Sequence, residues 1–359
     1  MVLNSALLNH QDSKIGVLIC GHGSRHFSAI EEFSCLVEKI KTSLPGIPVE
    51  YGYLEFARPI INQALDRLRE QSVKRVIAIP AMLFAAGHAK NDIPSLLRAY
   101  SQEKGIVIDY GRELGINSLM IGAAGERVKE AISLNKKVSS FETLLVVVGR
   151  GSSDPDANSN VTKITRMLVE GLGMGWGETL FSGVTFPLVE PGLRHLVSLG
   201  FKRIIVLPYF LFSGVLVNRI LKSTKIVACE FPEVEFINAS YLSDHPLVVK
   251  TFLERIDEVL HGDTSMNCGL CKYRSDLLGF ENEVGSVQTS HHHHFEGINK
   301  ECSICGIGST CNCQVNEEKD LKGNSISHEH PFKFPYPNAD HPMGPVTLRT
   351  QKIDEYENK

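Results

Sequence analysis

The sequence predicts an α/β protein: two similar doubly wound parallel-sheet domains in tandem, followed by an irregular Cys/His-rich C-terminal tail. Three observations predict it. LICGHGSRH at Leu18–His26 returns as VVVGRGSSD at Val146–Asp154, 128 positions on, and KRVIAIP (Lys74–Pro80) returns as KRIIVLP (Lys202–Pro208) at the same offset. One offset shared by separate motifs marks an internal duplication. Within each copy, Val/Ile/Leu-rich runs alternate with amphipathic stretches, the pattern of strands buried on both faces of a parallel sheet and of helices covering them. After His261 that periodicity fades, and His, Cys, Gly, Asn and Glu take over.

The elements follow in order. Strands are expected at 15–20, 48–54, 74–80 and 106–109 in the first copy, and at 143–148, 179–184, 202–208 and 234–238 in the second. Helical patterns fall at 27–43, 58–71, 90–103 and 117–134, then at 157–171, 189–199, 215–228 and 246–260. The polar stretch NKKVSSFE joins the copies. This gives an N-terminal domain over 1–137, a C-terminal repeat over 138–262 and a tail over 263–359, expected to be partly disordered unless metal orders it.

Composition narrows the function classes. The 359 residues leave room for two ordinary domains and an extension, and 43% apolar content suits a chain with a real core. Lys and Arg number 37 against 41 Asp and Glu, a net charge of −4, which argues against a nucleic-acid or membrane-surface binder. There is no run of about 18 apolar residues, so no transmembrane helix is expected. The start, MVLNSALLNHQDSK, lacks the basic region of a signal peptide. Cys20, Cys35 and Cys229 sit in apolar segments, and the other six of nine cysteines crowd the tail in short-spaced pairs. That pattern fits thiols kept reduced for metal in a cytoplasmic setting.

Candidate site residues come from the differences between the copies. His22 follows the first strand and precedes a helix, between Gly21 and Gly23; His88 follows the third strand in a comparable place, again after a glycine. Ligands bind at the carboxyl ends of parallel strands, and neighbouring strand ends lie about 5 Å apart, so the two imidazoles are placed to share an ion. The second copy has Arg150 opposite His22 and Leu216 opposite His88. Histidines kept for structure alone have no reason to vanish as a pair. Glu55, ending the second strand, either adds a third oxygen ligand or takes a proton; the plainer reading is a glutamate favoured at a helix N-terminus. Arg150 is a candidate for holding an anionic ligand, the plainer reading being an arginine in a solvated turn; Arg25, Arg58 and Asp92 are weaker candidates for anchoring such a ligand or starting a helix, and His26 is close by.

The tail offers a second set. Cys268 and Cys271 form one C-x₂-C pair, Cys302 and Cys305 another, and Cys311 and Cys313 follow closely. By chemistry alone these suit a zinc site or an iron–sulfur cluster equally. The run His291, His292, His293 and His294 reads as an accessory metal store, with the bland alternative of a solvated loop that binds metal adventitiously.

HGSR after the first strand, YLEFARPII after the second and PAMLFAAGHAKNDIP after the third together resemble the sirohydrochlorin chelatases, class II tetrapyrrole chelatases of the cobalamin and sirohaem pathways. The resemblance covers about residues 14–260. MNCGLCKYR, from Met266, is similar to the iron–sulfur signature of the long cobaltochelatase form, which also carries a His-rich stretch. The resemblance implies insertion of a divalent metal into sirohydrochlorin, with His22 and His88 binding the ion and helping to deprotonate the ring. Glu55 is less securely assigned. It implies a cluster on Cys268 and Cys271, with Cys302 and Cys305 as partners. Cobalt is the expected metal, with Fe²⁺ or Ni²⁺ as alternatives and the ferrochelatase of sirohaem synthesis as runner-up. A metal storage or delivery protein is the competing class. The expected partner is sirohydrochlorin, with neither nucleic acid nor membrane, and a homodimer is one compatible assembly.

Overall fold

Each copy builds one four-stranded, wholly parallel sheet, and the strand orders repeat. The computed structural model describes residues 14–262 apart from 87, 134–136 and 153, together with 276, 278 and 281–284. In the first sheet β1 (Ile15–Gly21), β2 (Val49–Tyr53), β3 (Arg75–Pro80) and β4 (Val107–Tyr110) lie in the order β2-β1-β3-β4. In the second, β5 (Thr143–Gly149), β6 (Trp176–Phe181), β7 (Arg203–Pro208) and β8 (Glu235–Asn238) lie in the order β6-β5-β7-β8. The central strands are apolar because both their faces are covered: all seven residues of β5, TLLVVVG, are buried. The edge strands are more polar and more open, as in VIDY of β4.

The helices are α1 (Phe27–Thr42), α2 (Ile61–Glu70), α3 (Ile93–Lys104), α4 (Ser118–Ser133), α5 (Pro155–Leu172), α6 (Val189–Val197), α7 (Val215–Glu230) and α8 (Pro246–His261). Each turns an apolar stripe inward at helical spacing; on α1 it is Ala29, Phe33, Leu36, Val37 and Ile40. Helices α2 and α3 cover one face of the first sheet, Ile61, Leu65 and Leu97 meeting Leu18, Val76 and Ala78. Helices α6 and α7 do the same for the second sheet.

The other two faces do not close separately. Val17, Ile19 and Ile77 of the first sheet share one core with Leu145, Val147 and Ile205 of the second, through α1, α4, α5 and α8. Helix α4 packs on α5, β7 and α8, whereas α8 packs on α1, β3 and α4. The last helix of each copy therefore covers the sheet of the other copy.

Polar groups secure this exchange. Arg255 of α8 is fully buried. Its Nε donates to the Glu113 carbonyl at 2.9 Å, Nη1 to Glu258 at 2.6 Å and Nη2 to the Leu114 carbonyl. Glu258 also accepts two bonds from Arg112, at 2.9 and 2.7 Å. Burial pulls the Arg255 guanidinium below its ordinary value, and Arg112 alongside adds to that. Glu126 of α4 meets His245 at 2.9 Å, just ahead of α8.

Three boundaries differ from the sequence reading. The helix expected from 58 begins at 61, because Ile60 is extended and the Pro59 carbonyl accepts the Tyr53 amide at 2.9 Å. The strand expected at 179–184 lies at Trp176–Phe181. Its polar first half pairs at the sheet edge, and apolar Val184 belongs to a tight turn with φ of 67°. A wide π-helical turn, His88–Asp92, precedes α3. No helix among the described residues is long and apolar enough to cross a membrane.

Replacing Arg255 by Leu strips the Glu113 and Leu114 carbonyls of their side-chain donor and leaves Glu258 with the two bonds from Arg112 alone. The expected cost is about 3 kcal/mol of unfolding free energy in a urea titration, against under about 0.5 kcal/mol for exposed Arg166→Leu.

Candidate metal centre

Strand β1 lies between β2 and β3, all three run the same way, and their chain exits share one edge of the sheet. His22 is the first residue beyond β1. The Leu54 amide donates to the Gly21 carbonyl at 2.8 Å and the Glu55 amide to the His22 carbonyl at 3.0 Å, so Glu55 is carried alongside His22. Gly23 makes this approach feasible: its φ is 97°, and a Cβ there would fall 1.7 Å from the Glu55 carbonyl oxygen. The Ala57 amide then bonds back to the Glu55 carbonyl at 2.8 Å, closing a three-residue turn on Phe56 with φ of 63°.

His88 arrives by a longer route. Beyond β3, the Ala81 amide bonds to the Cys20 carbonyl at 2.8 Å, and the Met82 and Leu83 carbonyls accept the Leu114 and Gly115 amides at 3.0 and 2.8 Å. The loop is thus pinned to the backbone that Arg255 holds. Phe84 stacks on Tyr209 of the second copy, with ring centroids 5.8 Å apart. The π-turn that presents His88 runs into α3 through Pro94, which has no N–H to give to the turn before it.

The three side chains meet. The His22 and His88 rings lie 4.7 Å apart, edge to face. His22 Nε2 is 3.5 Å from Glu55 Oε1. One donor atom from each of His22, Glu55 and His88 falls within 4.8 Å of the others, which makes them a candidate metal-holding group. The hydrogen bonds also set the tautomers. His22 Nδ1 is 3.1 Å from the Gly23 carbonyl, which can only accept, so Nδ1–H donates and Nε2 keeps its lone pair. His88 Nδ1 is 2.6 Å from Asp92 Oδ2, and donation to that carboxylate likewise frees Nε2. Side-chain exposures of 34% for His22, 42% for Glu55 and 40% for His88 leave one side of the group open. Cys20, two residues before His22, is buried and burial pushes its thiol up, so it offers no thiolate to the group.

The remaining candidates fall as follows. Glu55 sits in a loop six residues ahead of α2, not at a helix N-terminus. Asp92 serves His88. Arg25 is exposed, its guanidinium 4.9 Å from the centre of the Phe56 ring. That ring stacks on His22 at 6.0 Å. Arg58 is exposed beside Pro59. His26 Nδ1 lies 2.8 Å from Ser28 Oγ, which reaches Ser213 of the second copy at 2.8 Å. Arg150 is exposed at the end of β5; its guanidinium donates to the Gly151 carbonyl at 3.5 Å and its own carbonyl accepts from Ser182 Oγ at 3.1 Å. Cys268, Cys271, Cys302, Cys305 and His291–His294 lie outside the described residues.

Phe56 and the partnership of Asp92 escaped sequence reasoning. The i to i+4 spacing of His88 and Asp92 was a usable signal; an exposed aromatic inside YLEFARP was a weaker one. The repeat shows how complete the divergence is. At the offset of 128, His22, Glu55 and His88 correspond to Arg150, Gly183 and Leu216, so all three donors are replaced.

A duplicated α/β chain with two imidazoles and one carboxylate at its strand ends is a metal-handling protein of the chelatase kind. A family model described as CbiX matches residues 16–131 and 144–259, and the chain belongs to that family. It is 36% identical to a sirohydrochlorin cobaltochelatase of Priestia megaterium over 264 residues, 73% of this chain and 85% of that one. A sirohydrochlorin ferrochelatase of the same organism is 29% identical, over 68% of this chain and 90% of its own. Among solved structures, the sirohydrochlorin chelatase SirB from Bacillus subtilis subspecies spizizenii, in complex with cobalt, superposes with a TM-score of 0.58 at 27% identity, covering 70% of this chain and 97% of that one.

Asp92→Asn is expected to weaken Co²⁺ binding by about tenfold while leaving the fold intact, because His88 loses the carboxylate that orients it. A chelator-competition titration beside a thermal melt checks this.

Proposed function

We propose that the chain inserts a divalent metal, foremost cobalt, into sirohydrochlorin, with His22 and His88 as the ligands of the incoming ion and Glu55 as third donor and proton acceptor. The observation that carries the reading is the three-donor group on adjacent strand ends of a chain in the CbiX family. The relatives named above supply the substrate class; the donor set supplies the chemistry.

Insertion makes three demands: the hydrated ion sheds water, two pyrrole N–H protons leave, and the ring bends until its nitrogen lone pairs meet the ion. Two neutral imidazoles suit Co²⁺, Fe²⁺ and Ni²⁺ as borderline ligands. Three donors open on one side hold an ion without enclosing it, so coordination positions remain for water first and ring nitrogens next. As the nitrogens displace the imidazoles, the freed Nε2 atoms and the Glu55 carboxylate are placed to accept the two protons. Arg25 and Arg150 are proposed to meet peripheral carboxylates of the substrate by charge-assisted hydrogen bonds. On this reading the repeat 1–137 carries the chemistry, 138–262 completes the binding surface, and 263–359 is a metal-binding tail. The tail is proposed to hold an iron–sulfur cluster on Cys268, Cys271, Cys302 and Cys305 and surplus metal on His291–His294; no step of insertion runs through it. Free thiols at Cys20, Cys35 and Cys229 fit a reducing, cytoplasmic compartment.

Iron is the second reading, favoured by the ferrochelatase relative, because these donors do not separate Co²⁺ from Fe²⁺. Anaerobic initial rates with Co²⁺, Fe²⁺ and Ni²⁺, followed by the absorbance bands of sirohydrochlorin, decide between them. A storage protein takes up metal stoichiometrically without accelerating that change.

His22→Ala and His88→Ala are each expected to lower the insertion rate by about 100-fold or more, and Glu55→Gln by about tenfold. Rates within twofold of wild type for either histidine variant remove the proposal. Deleting residues 286–359 is expected to leave the rate at saturating free metal nearly unchanged, as a stopped-flow comparison with the full chain will show.

A further inference from the structure

In both copies the loop after the second strand closes a three-residue turn on a side chain held at positive φ. Phe56 has φ of 63°, with the Ala57 amide 2.8 Å from the Glu55 carbonyl. Val184, 128 positions on, has φ of 67°, with the Thr185 amide 2.8 Å from the Gly183 carbonyl. This conformation is costly for any residue but glycine, and most so for a β-branched one. In the first copy the turn has a task, since it fixes Glu55. In the second the corresponding residue is Gly183, which has no side chain to aim, yet the strained tip persists.

The tips share a further property. Both are large apolar side chains left in solvent, Phe56 at 51% and Val184 at 69% exposure. Val184 also lines a cavity of about 540 Å³ together with Phe186, Leu188, Arg219 and Ser223. Phe186 is 58% exposed. Arg219 is exposed and has no carboxylate within ion-pair distance among the described residues. Glu190 also lines the cavity, but its carboxylate is paired with Arg194 at 2.8 Å, so an apolar wall beside the Arg219 guanidinium is left to fit a flat, apolar ring edged by carboxylates.

We infer that the second copy kept a substrate subsite after losing its metal ligands: Val184 packs on a face of the macrocycle, and Arg219 takes one of its peripheral carboxylates. This rests on sirohydrochlorin being the substrate. The subsite gives a reason for a β-branched residue to stay in a glycine conformation: the turn leaves its side chain exposed on the cavity wall, where a ligand can cover it. It also gives the copy without donors a grip on the ring during bending.

The test uses Val184→Gly and Arg219→Gln in the full chain. Glycine relieves the backbone while deleting the side chain, so a purely structural valine predicts an equal or higher Tm and unchanged binding. The subsite predicts an equal or higher Tm together with a Kd for metal-free sirohydrochlorin, read by fluorescence titration, raised about fivefold. Arg219→Gln is expected to raise that Kd about tenfold and to flatten its salt dependence. Co²⁺ affinity stays at the wild-type value in both. Wild-type Kd in both variants overturns the inference, as does weaker binding that appears only with a lowered Tm. Wild-type protein that fails to accelerate insertion instead overturns the reading of the substrate, whatever the variants do.

Discussion

The site depends on the parallel pairing of β1 with both its neighbours. Cys20 pairs with Gly52 on one side and with Pro80 on the other, so three chain exits leave one edge of the sheet side by side. Neighbouring strands lie about 4.8 Å apart, the same scale as the spread of the three donor atoms. No long-range tether between His22, Glu55 and His88 is needed, because the hydrogen-bond ladder already sets the spacing of the strand ends that carry them. Had β2 or β3 run antiparallel, Glu55 or His88 would stand at the opposite edge of the sheet. The small devices around the ladder act on this placement. Gly23 admits the Glu55 carbonyl, the π-turn presents His88, and two acceptors fix which imidazole nitrogen stays open.

Much of this was legible in the residues. Strands buried on both faces must be apolar throughout, so β1, β3, β5 and β7 stood out as Val/Ile/Leu runs, and His22 and His88 were found by comparing what followed them. Edge strands carry no such requirement, which is why β6 was read three residues late from the apolar end of its segment. Helix α2 was read too early because Arg58 to Ile60 suit a helix by composition while their backbone serves the strand. The role of Asp92 is hinted at by its i to i+4 spacing from His88, whereas the turn at Phe56 depends on a φ value that its residue type argues against, which periodicity does not carry. The packing of α4 and α8 on the opposite sheets was also out of reach, since an amphipathic stripe says how much surface a helix buries but not against which partner.

The duplication separates geometry from chemistry. The backbone of the two copies agrees in strand order, in the positive φ of Gly23 and Gly151, and in the turns at Phe56 and Val184. The side chains on that backbone do not: two imidazoles and a carboxylate face an arginine, a glycine and a leucine. One copy thus presents lone pairs to a cation and the other presents a cation. The corresponding positions of the second copy carry no such donors, so the candidate metal-holding group belongs to one of two nearly equivalent copies.

The crossing of α4 and α8 bears on how the chain comes off the ribosome. The inner face of β3 is roofed by a helix that ends at residue 261, so that part of the first sheet, beyond the cover α1 gives, stays open during synthesis until α8 has been made. Neither copy is then a unit that can mature early and wait for the other. During translation the nascent N-terminal copy therefore carries apolar surface around Ile77 of β3 that only the later copy covers, and exposed apolar surface of that kind favours aggregation over completion of the fold.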